Sequence, residues 1–332
     1  MTSTTIGTTE RKILHVVCMV TRLVFATDLH GSEKCWRKFI SAAAFKKADV
    51  LILGGDLTGK LIIPIATLPD GKFKSFLSEQ PTILANEEEL AEHEKYIRYS
   101  GYYPYRANET EIEQLKNDKQ KLETLFNSLM TETFREWLHW ADERLKDTNV
   151  KVFLAPGNDD RFDIDQAFKD STRVTNAEGQ VIPIDDYHEM ISTGWSNPTP
   201  WNTYREEPED KLYQRINDMV KKVKDIQNSI FVLHSPPYDS DIDEAPELDK
   251  NMTPIDGGQQ LIHVGSTAVR DIIMEKQPLL GLHGHIHEAR GASTLSRTLC
   301  INPGSEYSEG ILDGVVVELE KNKVKKWVRF SG

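Results

Sequence analysis

Short apolar runs recur along the chain, and each stops at a step rich in glycine and polar residues. Arg22 to Thr27 reads as a buried strand that runs straight into Asp28-Leu29-His30-Gly31, and Trp36 to Lys47 has the spacing of the helix that follows. Ala48 to Leu53 is a second apolar strand, ending in Gly54-Gly55-Asp56. This order predicts a βαβ start with polar side chains just beyond the carboxyl ends of the strands, where α/β sheets bind their ligands. The pattern returns at Val150 to Leu154 before Pro156-Gly157-Asn158-Asp159-Asp160, at Ser229 to Leu233 before His234, and at Pro278 to Leu282 before His283-Gly284-His285-Ile286-His287. From Thr298 to Val328, apolar runs alternate with Asn302-Pro303-Gly304 and Leu312-Asp313-Gly314 turn signals, as in paired strands.

Residues 60–149 differ in character and read as an accessory element inserted into one domain spanning 22–330. The insertion opens with a hairpin turning at Pro69-Asp70-Gly71. Two helical stretches follow, Ala85 to Arg98 and Asn108 to Lys146, the second carrying Leu115, Leu122, Phe126, Phe134, Trp137 and Leu138 at helical spacing. Residues 1–21 read as an amino-terminal extension, disordered in part because Met1 to Glu10 offers little to bury, with Met19 an alternative start.

Composition narrows the function classes. A 28% charged and 39% hydrophobic chain of 332 residues can bury a large core. The net charge of −12 disfavours long nucleic acid as a partner and leaves small phosphorylated substrates open, since bound cations reverse a local field. Cys18, Cys35 and Cys300 form no CxxC pair, and no apolar run is long enough for a membrane helix, so the expected compartment is the cytoplasm.

The residues at the strand ends are Asp28, His30, Asp56, Asn158, His234, His285 and His287. Carboxylate, imidazole and amide donors without cysteine suit an open catalytic site for first-row divalent metals rather than a structural zinc knot. They are too many for one metal that must leave room for substrate, and they suit two. An isolated Asp-x-His or a lone histidine carries little weight. The inference rests on each motif following its own strand and all converging on one sheet edge.

In these blocks the sequence resembles the calcineurin-like metallophosphoesterases, whose pattern is Asp-x-His, Gly-Asp, Gly-Asn-His-Asp/Glu, a later His and Gly-His-x-His. The resemblance covers about Arg22 to Val328 apart from the insertion. It implies an α/β fold of two mixed sheets packed as a sandwich and flanked by helices, four layers in all, with a helical arm inserted. It also implies that Asp28, His30, Asp56 and His287 hold one metal, and Asp56, Asn158, His234 and His285 the other, with Asp56 bridging. The ions would be manganese, iron, zinc or similar, and the reaction hydrolysis of a phosphate mono- or diester by attack of a metal-bridging hydroxide on phosphorus. One position departs from the pattern: Asp159 stands where the family has the histidine that assists the leaving group or the transferring phosphoryl. A carboxylate serves neither purpose well, which keeps open a second reading, a metal-binding scaffold with little turnover. His283, His263 and His188 are the candidate replacement acids, although His283 reads more readily as a buried strand residue bonded to backbone.

Substrate choice falls to the loops and the insertion. Tyr102, Tyr103 and Tyr105 beside Arg106, together with Trp195 and Trp201, have the chemistry to stack on a ring and pair with a phosphate, a nucleotide being one candidate. The same aromatics equally suit packing of the arm against the body or a second subunit, and that reading weighs slightly more.

Overall fold

The computed structural model describes residues 20–77 and 80–332. Most of the amino-terminal extension, with Cys18 and the alternative start Met19, lies outside the described residues, while Thr21 already opens the first strand.

Two six-stranded mixed sheets face each other. In spatial order the first runs Lys323–Ser331, Asp313–Glu320, Thr21–Ala26, Val50–Leu53, Lys151–Leu154 and Val174–Asn176. The second runs Gly291–Leu295, Thr298–Asn302, Leu280–Leu282, Ile230–Leu233, Glu189–Thr193 and Gln180–Pro183. Parallel pairing sets Ala26 opposite Leu53, and Leu53 opposite Leu154, so these three strands end at one level. Asp313 and Gly314, expected in a turn, instead begin a strand paired with both Thr21–Ala26 and Lys323–Ser331.

The continuous apolar character of the strands reflects burial of both faces. Leu23, Phe25 and Ile52 point into the sandwich and meet Met190, Val232 and Leu282 of the second sheet. Val24, Leu51 and Leu53 point outward against helix α1 (Glu33–Phe45), which Ser32 caps by accepting from Cys35 N. On the far side, Ile191, Phe231 and Leu233 pack against α5 (Glu209–Val220) and α6 (Thr267–Lys276). The result is the four-layer arrangement expected of the sequence.

Residues 60–149 form two different structures. The first is a small four-stranded sheet, ordered Thr82–Leu84, Phe73–Ser75, Ile62–Thr67, Tyr103–Ala107, covered by α2 (Glu87–Tyr99). The hairpin closes as expected, with Leu68 N donating to Lys72 O. The second is helical, but broken: α3 (Glu109–Asn117) stops at Asp118, whose carboxylate accepts from Lys121 N and starts α4 (Lys119–Leu145). The later half of α4 joins the main core. Met130, Phe134, Trp137 and Leu138 pack on the first sheet, with Trp137 stacked on Trp36 at 5.3 Å.

Candidate metal centre

Five short loops leaving the carboxyl ends of the strands meet where the two sheets adjoin, and each carries part of the predicted donor set. Asp28, His30, Asp56 and His285 all have positive φ, at 54°, 42°, 49° and 68°. Left-handed backbone at non-glycine residues costs of order 1–3 kcal/mol each and persists only where the surroundings impose it. Glycines allow the close approach: a Cβ on Gly284 would overlap Thr27 Oγ1 and the Asp28 carboxylate, and one on Gly55 would strike the His234 ring.

The seven donors converge. Asp28, His30 and His287 form one group and Asp56, His234 and His285 another, with donor atoms within 4.8 Å of one another in each. Asp56 Oδ2 lies 3.5 Å from both His30 Nε2 and His234 Nε2, so one carboxylate oxygen faces both groups. The Asn158 amide nitrogen donates to Thr203 Oγ1 at 2.8 Å, which turns its oxygen inward to 3.0 Å from His234 Nε2. His234 Nδ1 donates to Gly54 O, fixing the tautomer that offers Nε2 to the interior. His30 Nε2 and His287 Nε2 also face each other at 3.0 Å.

Such oppositions of acceptor against acceptor demand a proton or a cation. Burial lowers the imidazoles of His30, to about 3, and of His285, to about 4, so both present lone pairs. Burial alone would raise Asp28 and Asp56 and lower His234. Instead, mutual attraction holds both carboxyls well below their usual range and lifts His234 to about 10. The anionic oxygens thus draw positive charge to this point, and the donor set fits divalent metal.

Around the donors runs a frame of hydrogen bonds. His285 N and Thr27 Oγ1 donate to Asp28 Oδ2 at 3.0 and 2.7 Å, and Asp159 N donates to Asp56 Oδ1 at 3.0 Å. Asp160 accepts from Leu57 N, from Thr58 N and Oγ1, and from Gly157 N, tying the loop after Asp56 to the loop bearing Asn158. Burial and the Asp56 charge raise its carboxyl to about 6 against those donors. Asn302 donates to Ile286 O and accepts from Gly304 N, which shapes the Gly284 to His287 turn.

Other expected residues fall elsewhere. Asp159 does reach the cluster, forming a group with His30 and Asp56, and ion-pairs with Lys60. His283 is fully buried with Nδ1 bonded to Leu233 O, as its strand position favours, and burial lowers it to about 4; it is no replacement acid at the cluster. His188 pairs with Asp185, and His263 with Asp243. The aromatic stretch is a strand: Tyr103 is buried and accepts from Gly59 N, Tyr105 donates to Glu111, Arg106 pairs with Glu94 and Glu87, and Tyr102 packs on the small sheet's core. Trp195 lies under Arg215 in the outer core of the second sheet, while Trp201 remains exposed. Lys60 and Tyr307, whose ring lies 4.7 Å from that of His30, were not marked by any motif, since only the folded chain carries them to the cluster.

Residues 21–289 match the family model described as calcineurin-like phosphoesterase. An uncharacterized protein of Methanocaldococcus jannaschii, MJ1162, is 33% identical over 159 residues, a stretch covering 46% of this chain and 64% of that relative. One solved crystal structure, 17% identical, has a TM-score of 0.57 over 94% of this chain and 100% of its own. Thermus thermophilus TT1561, 13% identical, has a TM-score of 0.50 over 95% of this chain and 99% of its own. At these identities the structural likeness is one of fold.

Proposed function

The chain belongs to the calcineurin-like phosphoesterase family, and from that premise we propose that it is a dinuclear hydrolase of a small phosphate mono- or diester, with Asp56 as the shared ligand. The observation that carries this reading is the placement of Asp56 Oδ2 at 3.5 Å from one imidazole of each group. Asp28, His30 and His287 would complete one ion's ligands, and Asn158, His234 and His285 the other's. Bound there, two divalent ions supply an acidified water as nucleophile and neutralise charge growing on the phosphoryl oxygens.

The chain's own groups do the rest. His30 and His285, held neutral by burial, offer lone pairs without a proton to displace. Gly54 O and Thr203 Oγ1 aim His234 and Asn158 before any ligand arrives. At the rim, Lys60 offsets the repulsion that Asp159 would exert on an anionic ester. No imidazole outside the donor set reaches the cluster among the described residues, so leaving groups that depart without a proton are favoured.

Chelation followed by reconstitution with manganese, iron or zinc, with mono- and diesters assayed for each, tests the reading. Two equivalents of metal per chain and metal-restored hydrolysis are expected. Asp56→Asn should lower metal content and cut kcat by more than about 100-fold, beyond the loss typical of an outer hydrogen-bonding partner. Full metal content with unchanged turnover in that variant would remove the bridging role. Full metal content without turnover of any ester in the native protein would favour the scaffold reading.

A further inference from the structure

A cleft of about 310 Å³ adjoins the cluster on its Asp159 side. Asp159 belongs both to the cleft's lining and to the group with His30 and Asp56, so the cleft and the cluster share a wall there. Lys60, Phe126, Arg161, Trp201 and Tyr204 line the remainder. The Arg161 guanidinium is held between rings, 4.8 Å from Phe126 and 4.9 Å from Tyr204, and bonds Glu123 and Asn127. This wall is fixed in place.

The loop bearing Trp201 is equally fixed. The hydroxyls of Thr199 and Thr203 donate to Glu206. Tyr204 N and Arg205 N donate to Asn158 O at 3.0 and 3.2 Å, and buried Arg205 bonds Asp160 O and Asp165. The loop is therefore registered against Asn158, a member of the donor set. Yet Trp201 is 64% exposed and Tyr204 45% exposed. An anchored loop that leaves an indole in water beside a reaction centre has the form of a stacking platform.

We propose that this cleft receives the leaving group of the substrate, and that the group carries a planar ring which stacks on Trp201. The substrate class is thus a phosphate ester of a ring-bearing alcohol, nucleosides included. The inference rests on the phosphoesterase reading and adds to it the side from which the ester departs.

Two esters separate ring flatness from leaving-group acidity: 2-phenylethyl phosphate and 2-cyclohexylethyl phosphate, whose ester oxygens are alike. The metal-reconstituted full chain should prefer the phenyl ester about fivefold or more in kcat/KM, mainly through KM, on the scale of a base stacked on an aromatic side chain. Trp201→Ala should abolish that preference, and Trp201→Phe should keep most of it. Calorimetric titration of 2-phenylethylphosphonate, which cannot be hydrolysed, should show the same order of affinities. Because Trp201 is exposed, metal content and the unfolding midpoint of the variants should match the native protein, separating lost contact from lost fold. Equal use of both esters, with no change in Trp201→Ala, overturns the cleft assignment and leaves the phosphoesterase reading standing. Failure of the metal-loaded native chain to hydrolyse either ester or bind the phosphonate, while other mono- or diesters are turned over, likewise overturns the cleft assignment alone; failure with every mono- and diester assayed overturns both.

Discussion

Asp159 is where charge and chemistry are most closely opposed. Burial and the neighbouring Asp56 charge raise its carboxyl, while Lys60 pulls the other way, and the outcome is an ion pair where an acid would be useful. General-acid assistance is typically worth about 10²–10⁴-fold, so alkyl esters should lag aryl esters steeply in kcat/KM. Asp159→His should lift the alkyl esters more than the aryl ones. A flat leaving-group series in the native protein, with no gain in the variant, would show that another group already donates the proton. Gly284 is as demanding for a steric reason: Gly284→Ala should displace Asp28 and lower metal content, and a variant that still binds two equivalents would show that the turn can yield.

At the scale of elements, residues 60–149 divide by what they bury. Tyr103 N bonds Leu61 O at 3.0 Å, so the chain entering the small sheet and the chain leaving it are in contact. Replacing residues 62–102 with a short Gly/Ser linker should leave the main core packed and metal binding intact, while changing substrate preference. Removing residues 60–149 should instead abolish folding, because α4 supplies Phe134, Trp137 and Leu138 to the core beside the first sheet. Trp137→Ala alone should cost about 3–5 kcal/mol in denaturant unfolding, and a cost below 1 kcal/mol would show that α4 is peripheral. The helical period of residues 108–146 was legible in the sequence. That its second half belongs to the core and its first half does not was invisible, since amphipathic spacing says which face is apolar but not what covers it.

For the molecule as a whole, the two sheets are held in register at their edges as well as through the core. Asp185, in the turn between two strands of the second sheet, accepts from Thr21 of the first sheet and from His188. Burial acts to raise its carboxyl, but these hydrogen bonds hold it well below the usual range. A carboxyl with a depressed folded value contributes stability above its unfolded value of about 4, and loses it as the pH falls toward the folded value. The gap in unfolding midpoint between the native protein and Asp185→Asn should therefore be constant above about pH 5 and narrow steadily as the pH falls below about 4 toward the folded value. A gap that stays the same width from about pH 5 down to about pH 2 would assign the loss to packing. By itself the sequence marked the five strands that end at polar blocks, the helix after the first of them and the seven candidate metal ligands, because apolar runs and the residues that stop them are local features. Only the tertiary structure decided that Asp56 faces both imidazole groups, that Lys60 neutralises Asp159, that His283 is walled off by backbone, and that most of the aromatics serve packing while Trp201 lies open beside the cluster. Those outcomes depend on contacts between residues distant in the chain, where burial and direction are set by the partner rather than by the neighbour in sequence.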